Sequence, residues 1–296
     1  MPEGDTLFRT ASVLRDVLVG RPVVSARGRP GGPALGRLAA TRIVGVDSVG
    51  KHLLIASDGG LTLHTHLGMH GSWHRYRTGE GWRRSPARAV AVIEVPGTTV
   101  VCFDAPTVEL LDSRAIAIHP RLRELGPDLL APDADLRLAT ARLRDPSLAS
   151  VAIGDALLDQ RSVAGLGNVY RSEVCFVERV DPRAPVGTLP DEALERLLTT
   201  GRRLLLANRD AADRTTRPDA MGSPPGAGIP RPRGERLWVY GRAGRPCRRC
   251  GTPIATGVSG PLARRAYWCP VCQRGAGPPG QAMRGDAREE DPSRQT

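Results

Sequence analysis

Four cysteines near the C-terminus restrict this chain's possible folds more than any other feature. Cys247 and Cys250 lie in C-R-R-C, Cys269 and Cys272 in C-P-V-C, and eighteen residues separate the pairs. Each Cys-x-x-Cys turn presents two thiolates from one tight loop, and two such knuckles joined by a hairpin close a tetrahedral zinc site. The intervening TPIATG and RRAYW segments suit the two strands of that hairpin. Four sulfur ligands leave no position for water, so the expectation is one structural Zn²⁺ in a zinc ribbon over residues 236–274. Disulfide pairing is the competing reading. Against it stands the start MPEGDTLFRT, which is acidic where a secretory signal is basic and then apolar. No run of about 18 apolar residues appears, so no membrane span is expected and a cytoplasmic location follows. The other cysteines, Cys102 and Cys175, lie alone among apolar residues and read as small buried hydrophobes.

The 296 residues favour two packed units ahead of the ribbon. Only 4% of the chain is aromatic, so the cores must be aliphatic. Residues 6–18 place Leu7, Ala11, Leu14, Val17 and Leu18 at helical spacing, with Asp5 or Thr6 as the expected N-cap. Short strands follow at Arg42–Val46, Lys51–Ala56, Leu61–Leu67, Ala89–Val95 and Thr98–Phe103, with hairpin turns at Asp58-Gly59-Gly60 and Pro96-Gly97. Residues 1–118 therefore read as a helix leading into an antiparallel β-sandwich. Residues 119–235 read as a helical unit ending in a polar Gly/Pro loop from 208, and 275–296 as a disordered tail. The fold class is α+β, without internal repeats.

A net charge of +11 suits a polyanionic partner, because cations placed on phosphates release condensed counterions. Lys51 is the single lysine among 42 Lys plus Arg. The arginine excess, with abundant Ala, Gly and Pro, has the look of GC-rich codon bias. Lys51 then either escaped by chance or stands where a compact ammonium is needed and a wider guanidinium fails.

The helical unit contains IGDALLDQRSVAGLGNVYRSE. Asp155–Arg161 reads as one helix, Gly165 and Gly167 allow a tight turn, and Asn168 can cap the next helix. Free N–H groups at such a helix start can hold a phosphate. Alone, this is an ordinary helical hairpin. With MPEG, GKHLL, HLGMHG and YWCPVCQ in the same order, however, the chain resembles the formamidopyrimidine-DNA glycosylase and endonuclease VIII family from residue 1 to about 274.

The resemblance implies a monomeric, bifunctional glycosylase and lyase acting on damaged DNA. It implies removal of Met1, so that Pro2 becomes a secondary-amine nucleophile. An α-amine with pKa about 8 is partly neutral near pH 7, and a following helix start lowers it further. Glu3 becomes an acid and base, and Lys51, on the second strand, binds the phosphate beside the lesion. Asn168 and Arg264, or its neighbour Arg265, share that phosphate. Met69 and His70 fill the hole left by a flipped base. Three departures stand out: Thr6 occupies a usual Glu position, FDAPTVELL lacks an Arg-Phe pair, and the lysine before the two-turn motif is replaced around Gly154. MPEG and YWCP lean toward the endonuclease VIII branch, hence toward oxidised pyrimidines. Oxidised purines, or a catalytically silent DNA-binding protein, are the alternatives; Pro2, Glu3 and Lys51 together argue against the last. His64, His66, His70 and His74 suggest a metal through the H-x-H pattern, but no carboxylate is positioned among them, so none is expected there.

Overall fold

The computed structural model describes residues 2–211, 213–217, 233–260 and 263–273. The expectations for Met1, for most of the loop between 218 and 232, and for the tail from 275 fall outside them.

Helix α1 (Gly4–Leu18) buries Leu7, Ala11, Leu14 and Leu18 along one stripe, which packs on the sandwich. Its N-cap is Glu3, neither Asp5 nor Thr6. The Glu3 carbonyl already accepts from Thr6 N (2.9 Å) and Leu7 N (3.1 Å), so Asp5 and Thr6 lie inside the first turn.

The sandwich has two antiparallel sheets. One orders β1 (Ser25–Gly28), β6 (Ala89–Val95), β7 (Thr98–Phe103) and β5 (Ser72–Arg77) as β1-β6-β7-β5. The other orders β2 (Ile43–Val49), β3 (His52–Ser57), β4 (Leu61–His66) and β8 (Thr107–Asp112) as β2-β3-β4-β8. Ile43, Val46, Leu53, Ile55 and Leu63 meet Ala91, Ile93, Val100 and Cys102 in an aliphatic core. Sequence patterning missed β1, β5 and β8, and each is an edge strand. An edge pairs on one side only, so its apolar alternation is weak, as SWHRYR shows. Lys51 lies in the turn joining β2 to β3 and not on a strand.

Helices α2 (Ser113–Ile118) and α3 (Pro120–Arg123) lead into α4 (Leu136–Leu143), α5 (Ile153–Ala156), α6 (Asn168–Val177) and α7 (Asp191–Asn208). Leu157, Leu166, Tyr170, Val174, Cys175, Leu194, Leu198 and Leu205 form their shared core. The expected helix over Asp155–Arg161 is not formed, since α5 ends at Ala156. Side chains take over the backbone groups beyond it. Asp159 accepts from Arg161 N (3.0 Å), and Gln160 binds Gly165 N (3.1 Å) and Leu166 O (3.0 Å).

One helical turn, α8 (Arg233–Arg236), interrupts the stretch read as loop. The hairpin β9 (Ala255–Ser259) and β10 (Arg264–Trp268) completes the C-terminal module. Its small core of Val239, Cys247, Ile254 and Cys269 gathers around Phe176 of α6. Among the described residues, no helix is long and apolar enough to cross a membrane.

Candidate active site

The start of α1 docks into the loop that begins α6. Gly4 N donates to Gly165 O (2.9 Å), and Glu3, fully buried, reaches the α6 N-terminus. Its Oε1 accepts from Val169 N (2.8 Å) and its Oε2 from Tyr170 N (3.3 Å). A carboxylate there satisfies free amides and faces the positive end of the helix dipole. Asn168 therefore does not cap α6 as expected, because Glu3 holds that place and the formal N-cap is Gly167. Asn168 Nδ2 instead donates to Arg265 O (2.9 Å), and its buried Oδ1 has no hydrogen-bond partner.

Gly167 is required for this contact: a Cβ there would lie 2.4 Å from Glu3 Cδ. Gly167→Ala is expected to expel Glu3 and cost about 1–3 kcal/mol of stability, as overpacking typically does. Activity should fall by more than the loss in folded protein at the assay temperature explains. Thermal melts run beside activity assays check this.

Asp5 binds an arginine that sequence reasoning missed. Asp5 Oδ2 accepts from Tyr170 Oη (3.0 Å) and Arg214 Nε (2.8 Å), and Oδ1 accepts from Arg214 Nη2. The same guanidinium reaches Thr6 Oγ1 (3.2 Å), lies 4.8 Å over the Tyr170 ring and stands 3.9 Å from Glu3 Oε1. Asp5 thus has both oxygens engaged by Arg214 and Tyr170. Arg214 lies within the polar segment that starts at 208 and carries no motif, so no sequence signal marked it.

Gly50 and Lys51 form the turn opposite. Gly50 takes φ +57°, and its N donates to Asp128 Oδ2 (2.7 Å); a Cβ there would press on Ala164. Lys51 is pushed down to about 8 by burial; Glu3 opposes that shift, while Arg264 and Arg214 reinforce it. Its ammonium is therefore poised to lose a proton close to neutrality.

Arg264 approaches from β10. Its carbonyl accepts from the buried Arg171 Nη2 (2.7 Å), and its Nη1 lies 2.6 Å from Met69 Sδ. Met69 is 46% exposed at the tip of the turn after β4, beside exposed His70. Pro2, half-buried, immediately precedes Glu3. The structure thus gathers Glu3, Lys51 and Arg264 electrostatically, sets Met69 on Arg264, and ties Asn168 to the same hairpin.

The cysteine cluster fits a metal. All four sulfurs lie within 4.8 Å of one another, with Cys247–Cys272 at 3.9 Å and Cys250–Cys269 at 3.5 Å. Bonds of about 2.3 Å in a tetrahedron place sulfurs about 3.8 Å apart. Backbone amides of Arg249 and Cys272 donate to Cys247 and Cys269 sulfurs (both 3.4 Å), and no disulfide forms. Cys102 and Cys175 are buried thiols, as expected.

The histidine expectation needs correction. Glu109 of β8 pairs directly across from His64 of β4, and its Oε2 lies 2.8 Å from His64 Nδ1. A carboxylate distant in sequence is brought to the H-x-H strand by sheet register. Burial lowers His52 to about 3 and His66 to about 4. His74 lies on the other sheet, bonded to Ser72 and Tyr76.

Family models for the formamidopyrimidine-DNA glycosylase N-terminal domain and the formamidopyrimidine-DNA glycosylase H2TH domain match residues 1–107 and 125–216. The chain belongs to the formamidopyrimidine-DNA glycosylase family. Within that glycosylase family it is 42% identical over 282 residues to a probable endonuclease 8 2 of Streptomyces coelicolor, covering 94% of this chain and 96% of that one. It is also 42% identical to the DNA-(apurinic or apyrimidinic site) lyase Nei2 of Mycolicibacterium smegmatis, over 92% of this chain and 99% of that one. The fold matches Lactococcus lactis Fpg, solved with abasic-site DNA, at a TM-score of 0.76 and 23% identity, over 92% of this chain and 100% of that one.

Proposed function

We propose that this glycosylase-family chain removes an oxidised base from DNA, a pyrimidine by preference, and then cuts the strand. The observation that carries the reading is the docking of Glu3 and Gly4, next to Pro2, on the α6 loop, with Lys51 in electrostatic reach of both Glu3 and Arg264. Relatives named endonuclease 8 and Nei2, and the MPEG and YWCP matches, support the pyrimidine preference.

After Met1 is removed, the Pro2 nitrogen attacks C1′. The N–C1′ bond forms and the glycosidic bond breaks, with the base leaving protonated. Glu3 gives a proton to O4′ as the sugar ring opens, and its carboxylate is then the base for the next step. The resulting iminium withdraws electrons from C1′, so Glu3 takes a C2′ proton and the C3′–O bond breaks, the 3′ phosphate leaving with the electron pair. A second elimination breaks the C5′–O bond, and water then hydrolyses the iminium, freeing the sugar fragment and the Pro2 amine. Lys51, Asn168 and Arg264 hold the phosphate beside the lesion, and Met69 and His70 occupy the space the base vacates. Cys247, Cys250, Cys269 and Cys272 hold one Zn²⁺, which fixes the hairpin bearing Arg264; four thiolates give it a structural role.

The test is borohydride trapping on duplexes that each carry one defined lesion, followed by peptide mapping of the adduct. The expected adduct is on Pro2 and strongest with oxidised pyrimidines. Lys51, whose burial also makes it a partly neutral amine, is the rival. An adduct on Lys51, or on protein retaining Met1, overturns the assignment of Pro2. Stronger trapping on oxidised purines favours the second substrate class.

A further inference from the structure

Four of the six histidines, with one carboxylate, form a connected group outside the chemistry above. His52 Nδ1 lies 2.8 Å from His64 Nε2, His64 Nδ1 lies 2.8 Å from Glu109 Oε2, and His119 Nε2 lies 3.1 Å from the same oxygen. His66 stands beside His52, with ring centroids 5.0 Å apart. Sheet register places His64 opposite Glu109, and the chain returns after α2 to place His119 on Glu109's other side. Their ligand atoms all lie within 4.8 Å of one another.

We propose that His64, Glu109 and His119 form a second metal site, for one divalent ion of the zinc class, separate from the four-cysteine centre. Two imidazoles and a carboxylate are a ligand set such ions accept, with the remaining positions left to water. Bonds of 2.0–2.1 Å in a tetrahedral shell set ligand atoms about 3.3 Å apart, so the present 2.8 and 3.1 Å spacings need to widen by a few tenths of an ångström.

The surroundings supply the rest of what a metal site requires. His52 Nδ1 can accept the His64 Nε2 proton, which orients that ring and leaves His64 Nδ1 free for the ion. A cavity of about 400 Å³ opens on Glu109 and His119 and gives the ion access. Two features oppose the ion. Arg29 and Arg121 line the same cavity, and His119 Nδ1 accepts from Leu122 N at 3.3 Å, a bond lost when Nδ1 carries the proton. Leu122 N also donates to His119 O at 3.1 Å, so that second loss is small.

The rival is a hydrogen-bonded group in which protons occupy the place of the ion, and metal titration separates the two. The probe is Co²⁺, added to full-length protein already loaded with one equivalent of Zn²⁺ in the cysteine centre. The expected result is one further equivalent, with a visible spectrum lacking sulfur-to-cobalt charge transfer. His119→Ala and Glu109→Gln should each remove that equivalent and keep the first. His119 is at a helix junction and Glu109→Gln preserves shape, and circular dichroism verifies that both variants fold. Uptake of only one equivalent by wild type overturns the proposal. So does a second equivalent that carries sulfur charge transfer or persists in either variant.

Discussion

Lys51→Arg is expected to slow single-turnover strand cleavage by roughly 100-fold and leave affinity for undamaged duplex nearly unchanged. The substitution keeps the positive charge, so only geometry is changed. Lys51 sits in a turn where a Cβ at the preceding Gly50 would already press on Ala164, with Glu3, Arg214 and Arg264 close by. A branched guanidinium cannot take the same place, and a misplacement of about 1 Å can cost on the order of 100-fold in rate. Non-specific affinity survives because many arginines supply it. Arg264→Lys is the matched control: it too keeps its charge but loses the guanidinium fork that the proposed phosphate contact uses.

The pH profile adds a signed test. Burial sets the Lys51 ammonium to lose its proton at about 8, so the cation proposed to hold the phosphate disappears as pH rises through that value. A bound phosphate favours the ammonium and moves the midpoint upward, never downward. Wild type should therefore lose cleavage on the alkaline side of about 8, whereas Lys51→Arg stays charged and shows no such fall. If Lys51→Arg cleaves at the wild-type rate, the lone lysine is an accident of codon bias.

Cys250→Ser should release the metal and abolish specific binding to lesion duplex. The module's core consists of Val239, Cys247, Ile254 and Cys269 around Phe176, far too little apolar surface to hold a fold without metal. Structural zinc contributes on the order of 10 kcal/mol to such small modules. The sandwich has its own core, so its strand signal in circular dichroism should persist. Metal analysis and binding isotherms report the two losses. Active protein without zinc would refute the assignment.

Local pattern made the ribbon, the central strands and the position of α6 legible in the sequence. Cysteine spacing, the Asp58-Gly59-Gly60 turn and the Gly-x-Gly-Asn motif each act over a few residues. What stayed hidden depends on contacts distant in the chain. Glu3 caps a helix more than 160 residues away, and Asp5 is engaged by Arg214 from a segment of no recognisable pattern. Glu109 joins the histidines only through β4–β8 register. Asn168 shows the cost of local reasoning, since its motif suggested a cap that a remote carboxylate supplies instead.

Glu173 of α6 carries a consequence for how this protein can vary. Its carboxylate accepts from Thr216 Oγ1 on one side, and from the amides of Trp238 (2.8 Å), Val239 (2.9 Å) and Tyr240 (2.8 Å) on the other. Both ends of the intervening chain are thus stapled to a single side chain within the framework. Lengthening such a closed segment is cheap, at about 0.6 kcal/mol per doubling. Segments exchanged between relatives at Thr216 and Trp238 should therefore graft without disturbing the Glu3 contact with α6 or the four-cysteine hairpin.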